Sequence, residues 1–227
     1  GRSKMNWITE SVKRSNKLKD HYRMQEIDIF IKDPLPDHID ANLVFSTFSR
    51  LIPHHLLTGI DIVYVGQFEV FKEKQANAVF QDGAIYVSNE QDSNQDMIDD
   101  IIHELAHSVE EKFTQYIYNE NDLKNEFLGK RKRLYDILFS YRYNPPSSIK
   151  VNYHYDKEID MYFYKDVGYE AMWNLINGLF PSPYSTTSLR EYFAIGFEYY
   201  FMGDKNTIKK LCPILYSKIE NLEYMEK

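Results

Sequence analysis

The stretch DDIIHELAHSVEE at residues 99–111 limits the fold of this chain more than any other, because it must pack as a helix while carrying two imidazoles and a carboxylate. Met97, Ile98, Ile101, Ile102, Leu105 and Val109 recur with the 3.6-residue period that marks one apolar helical face. Ser93 stands where an N-cap belongs, with Asp96 in the first turn, so the pattern predicts a helix beginning there and running to residue 118. On that helix His103 and His107 are four positions apart, which means about 40° of rotation and roughly 6 Å along the axis. Two imidazoles so placed converge on one point. Glu104 is turned by about 100° from His103, too far to join the pair but well placed to touch a water bound beside it.

Burying such a group on an apolar helix is costly without partners, and a metal ion supplies them. The pattern H-E-x-x-H is the one used by zinc peptidases, with ligands at i and i+4 and the intervening glutamate as base. We therefore expect one zinc per chain, held in part by His103 and His107, with Glu104 as general base. Catalytic zinc takes three protein ligands and keeps a position for water, so a third ligand is needed. The continuation H-x-x-G-x-x-H is closed, since Glu110 and Phe113 occupy those positions. Glu111 is a turn too far along. A second helix must supply the ligand, and SLREYFAIGFEYYF (188–201) offers Glu191 and Glu198. Ser188-x-x-Glu191 fits a capping box as well, so spacing alone leaves the choice open.

The surrounding pattern predicts an α+β fold. A polar helix over 7–24 precedes strands at 26–31, 60–65 and 68–71, with a helix at 38–52 between the first two. A hairpin over 77–89 turns at Asp82-Gly83. After the H-E-x-x-H helix, helices are expected at 121–141, 169–178, 188–202 and 206–222. This reads as a small mixed sheet before the active-site helix, then a mainly helical C-terminal lobe. The expected organisation is one domain: an α/β lobe over about 1–118, a helical insertion over about 120–175 and a C-terminal lobe over about 176–227. GAIYVS (83–88) is expected to be the edge strand that pairs with an extended peptide. KRKR (130–133) reads as a solvated helix face, and Trp173 is a candidate wall of a subsite.

Composition narrows the partners. A formal charge of −7 argues against nucleic acid and anionic membrane surfaces, which need surplus lysine and arginine. No apolar run is long enough to span a membrane. The single cysteine, Cys212, permits no intrachain disulfide and lies in LCPIL as a buried small hydrophobe. The opening GRSKMNWITE lacks the apolar core of a signal peptide, and GRS reads as a cloning remnant.

H-E-L-A-H, followed far downstream by Tyr184 seven residues ahead of the glutamate of EYFAIGF, resembles the zinc metallopeptidase family that joins the anthrax lethal factor catalytic domain with the Pro-Pro endopeptidases. The likeness covers about residues 60–118 and 180–225. It implies a zincin-like fold, zinc bound by His103, His107 and Glu191, Glu104 as the base and Tyr184 as the group that stabilises the oxyanion. It implies a secreted endopeptidase acting on an extended protein or peptide substrate; the chain is expected to be a monomer. The stretch from His107 to Glu191 is longer than the resemblance leads one to expect, hence the inserted helical subdomain. An aspartate four residues after the third ligand is absent, Ile195 standing there. Two other functions fit the motif: an intracellular regulatory peptidase that cuts a repressor, and a non-catalytic toxin-accessory or binding module of the same fold. Retention of Glu104 counts against the latter, because a metal scaffold has no use for a base.

Overall fold

A computed structural model describes residues 20–225 of the chain. The fold is α+β, with a five-stranded mixed sheet followed by helices. The chain divides into two compact units, Gly1–Leu105 and Ala106–Lys227.

In the first unit, β1 (His21–Met24), β2 (Ile27–Ile31), β3 (Ile62–Val65), β4 (Ala78–Gln81) and β5 (Ala84–Val87) form a sheet of order β1-β2-β3-β5-β4. β2, β3 and β5 run parallel, while the two edge strands are antiparallel to their neighbours. Parallel neighbours need crossovers. Helix α1 (Ala41–Leu51) supplies the first, and α2 (Glu69–Lys74) lies in the second. The period-2 alternation sets which face each residue takes. Ile29, Val63 and Ile85 are in register across three strands and wholly buried. The next residues, Phe30, Tyr64 and Tyr86, form an aromatic row on the opposite face, which His21 extends onto β1. Such cross-strand pairs fix register as well as adding stability.

Three expectations fail here. Residues 21–24 are a strand, paired to β2 across a turn at which Gln25 takes a φ of 55°; the rest of the predicted helix, 7–19, lies outside the described residues. FEVF is not a strand: Phe68 precedes α2, whose Phe71 is buried, so three-residue spacing of apolar side chains prevails over a short β-like run. β5 is interior, between β3 and β4, so GAIYVS is not the edge. Beyond it comes β4, and the Asp82-Gly83 hairpin (φ 52° and 78°) returns the chain inward, so the second strand of the pair takes the central place.

Helix α3 (Asn94–Lys112) starts as expected, with the Asp96 N–H donating to Ser93 Oγ at 3.1 Å. It ends before residue 118, at Phe113, and a short helix α4 (Thr114–Tyr118) follows.

The second unit is helical. Helix α5 (Asp122–Ser140) matches its predicted span closely. In the predicted insertion, α6 (Lys157–Met161) runs through a π-helical segment, Tyr162–Gly168, into α7 (Tyr169–Leu175). Helix α8 (Leu189–Phe201) buries Tyr192, Phe193, Phe197 and Tyr200, as expected of core aromatics. The helix expected at 206–222 is two, α9 (Lys205–Leu211) and α10 (Pro213–Glu223). Pro213 has no N–H to donate and restricts Cys212, so one helix stops and another starts with proline in its first turn. Glu126 of α5 accepts from the freed Ile214 N–H at 2.7 Å and from the Tyr192 hydroxyl at 2.6 Å. Cys212 is fully buried, as its context predicts.

KRKR departs from expectation in its first half only, since Lys132 and Arg133 are exposed but Lys130 and Arg131 are not. Lys130 is buried, donating to the Leu179 and Leu211 carbonyls, and Arg131 is 0% exposed. The Arg131 guanidinium donates to the carbonyls of Ile149, Asn152, Thr186 and Thr187, and lies over the rings of Phe127 and Phe163. No helix among the described residues is long and apolar enough to cross a membrane.

Candidate metal centre

The helical period puts His103 and His107 on one face of α3, and α8 brings a carboxylate to the second of them. His107 Nε2 lies 3.2 Å from Glu191 Oε1, with both side chains largely withdrawn from solvent. The N-terminus of α8 explains how. Ser188 is the N-cap, its hydroxyl accepting the Glu191 N–H at 3.1 Å. Backbone capping and a carboxylate aimed at His107 thus coexist at Glu191.

One ligand atom each from His103, His107 and Glu191 lie within 4.8 Å of one another. Ligand atoms that share an ion at about 2.0–2.2 Å must fall within roughly 4.4 Å of each other, so small side-chain movements close this set. Two imidazole nitrogens and one carboxylate oxygen are a fitting donor set for a first-row divalent ion with one position open. The three residues can therefore hold a metal ion. Glu198, the other candidate on α8, is not in the group, and Glu111 is exposed.

Glu104 is 9% exposed, and its Oε2 accepts the backbone N–H of Phe80 at 3.0 Å. Phe80 belongs to the edge strand β4, so a donor that would otherwise stand at an open sheet edge is committed to this carboxylate.

Tyr184 begins a 3₁₀ turn, Tyr184–Thr186, directly before α8 and is 42% exposed. It shares with Glu191 the wall of a cavity of about 580 Å³ in the second unit. Arg131 holds this turn from behind through the Thr186 and Thr187 carbonyls.

Several cavity residues went unread in the sequence. Glu110 Oε1 accepts from Arg190 Nε at 3.0 Å, and its Oε2 accepts the Tyr118 hydroxyl at 2.7 Å. Burial pushes the Glu110 carboxyl pKa up, opposed by the hydrogen bond from Tyr118 and by the charges of His107 and Arg190. A signal was present, since Glu110 is three positions past His107 and so on a neighbouring part of the same helical face. Asp160 and His154 also line the cavity, contributed by the predicted insertion. Burial, and next the charge of Glu191, raise the Asp160 pKa. Trp173 is 53% exposed and does not line it.

No family model, characterised protein or solved structure matches this chain, so the case for the site rests on its own donor set and geometry.

Proposed function

We propose that the protein is a zinc-dependent endopeptidase with a zincin-like fold, related in chemistry to the lethal factor and Pro-Pro endopeptidase group. The observation that carries this is the grouping of His103, His107 and Glu191 within 4.8 Å, with a conforming glutamate, Glu104, next to the first histidine. His103, His107 and Glu191 hold the ion. Zinc bound there supplies a Lewis acid and an acidified water.

With the ion bound, Glu104 would take a proton from the water at the site and hand it to the departing amine. The Phe80 N–H, donating to Glu104 Oε2 at 3.0 Å, fixes the orientation of this carboxylate. The Tyr184 phenol, at the cavity wall, donates to the oxygen on which negative charge develops. An extended peptide would add at β4, the edge strand, rather than at β5, through backbone groups other than the Phe80 N–H that Glu104 engages.

The test is Glu104→Ala, assayed for zinc content and for cleavage of a peptide library with and without chelator. The expected result is unchanged zinc and cleavage lost by about 10²–10⁴-fold. Equal cleavage by the two proteins would remove Glu104 from the reaction.

A further inference from the structure

Within the second unit, the cavity that Glu191 and Tyr184 share has features that the proposed hydrolysis does not use. Its volume of about 580 Å³ suits a long side chain, and Tyr118, Tyr153, Tyr155 and Tyr184 line it. Aromatic faces attract cations. One wall already holds a cation of the chain itself: the Lys124 ammonium stands 5.1 Å from the centre of the Tyr153 ring.

The charges decide what else enters. Glu110 is paired with Arg190 through Nε and hydrogen-bonded by Tyr118, so its charge is largely compensated within the cavity. Glu191 is assigned to the metal. Asp160 remains. It lies on α6, half-buried, and among the described residues its carboxylate has no ion pair and no side-chain hydrogen bond. Burial and the nearby Glu191 carboxylate both act against its charged form. Tyr155 and Tyr169 are each pushed up in pKa by burial first and by the Asp160 charge next, and Glu191 acts on Asp160 in the same sense. A partly desolvated carboxylate close to a second carboxylate is stabilised by a positive group. An acidic side chain would meet Asp160 and Glu120, with Lys124 and an Arg190 already paired to Glu110 to attract it.

We infer that this cavity is a subsite selecting a lysine or arginine side chain adjacent to the cut bond, with Asp160 as its counter-charge and the tyrosine rings along its length. This deepens the peptidase reading and rests on it. Asp160 lines the same cavity as Tyr184 and Glu191, the residues assigned to the reaction and the metal. The selected residue therefore flanks the reacting carbonyl instead of lying several positions away.

The experiment uses zinc-loaded protein and N-acetylated peptides that differ only in lysine or norleucine beside the cut; acetylation removes the terminal amine as a competing cation. Wild type should cleave the lysine peptide with a kcat/KM at least tenfold above that of the norleucine peptide. Asp160→Asn should bring this ratio to about one, and Asp160→Lys should make a glutamate peptide the better substrate. A ratio that survives in Asp160→Asn overturns the subsite. If no peptide is cut, the same pair is titrated into the protein by calorimetry. Tighter binding of the lysine peptide, abolished in Asp160→Asn, keeps the subsite while the peptidase reading falls. Equal affinities overturn the subsite as well.

Discussion

The Phe80 backbone N–H donates to Glu104 Oε2 at 3.0 Å, so the strand at the sheet edge directly holds the proposed base. A backbone donor to a charged carboxylate contributes about 1.5–3 kcal/mol. Removing it without changing the carboxylate separates positioning from chemistry. Phe80→Pro deletes the N–H at an edge position, where proline is tolerated. Steady-state kinetics on the best library peptide should show kcat lower by about tenfold, with KM and zinc content unchanged. A kcat equal to wild type would mean that the contact does not orient Glu104.

Arg131 is buried with its donors spread over four carbonyls, two of them in the turn between Tyr184 and α8. Arg131→Met keeps much of the packing between Phe127 and Phe163 but leaves those carbonyls without a donor. Each unsatisfied buried group costs about 1–3 kcal/mol. Urea unfolding should show a loss of at least about 3 kcal/mol with an unchanged m-value. A loss below about 1 kcal/mol would place Arg131 in a solvated setting.

Gly196 of α8 packs directly against Leu215 of α10. A Cβ there would lie 2.3 Å from Leu215 Cδ2 and 2.8 Å from Leu215 Cγ, and Leu215 is fully buried. Alanine is the better helix former by about 1 kcal/mol, so helix propensity alone predicts that Gly196→Ala stabilises. Overpacking wins at these distances and should destabilise by about 1–3 kcal/mol. In Gly196→Ala/Leu215→Ala the losses should be clearly less than additive, because the second change removes the obstruction.

Burial pushes the Cys212 thiol up to about 11, against a smaller opposing effect of the Tyr192 hydroxyl. The native protein should therefore resist iodoacetamide at pH 8 and react only when unfolded. The folded pKa exceeds the unfolded value, so the associated stability is present below about pH 9 and is lost as pH rises toward 11. Cys212→Ala should lose less stability than wild type across that window, by up to about 2 kcal/mol. Parallel pH–stability curves would contradict the assignment.

What could be read in the sequence is what local periodicity determines. Ser93, His103, His107 and the Asp82-Gly83 turn each depend on neighbours within a few residues, and each has the predicted local structure. Glu191 was one of two candidates on its helix until the resemblance favoured it; in the structure it is the residue beside His107. Arg131 was misread because its carbonyl partners come from residues 149–152 and 186–187, and no local pattern distinguishes a solvated guanidinium from one saturated by distant backbone. The identity of the edge strand depends on pairing order, which β4 and β5 do not encode in their own alternation. Asp160 belongs to the cavity only through the packing of the region read as an insertion.

The central claim is that His103, His107 and Glu191 together bind one divalent ion, and zinc affinity by chelator competition tests it most directly. The account predicts one zinc per wild-type chain, an affinity at least about 100-fold weaker in Glu191→Ala, and wild-type affinity in Glu198→Ala. Wild-type affinity in Glu191→Ala would contradict it.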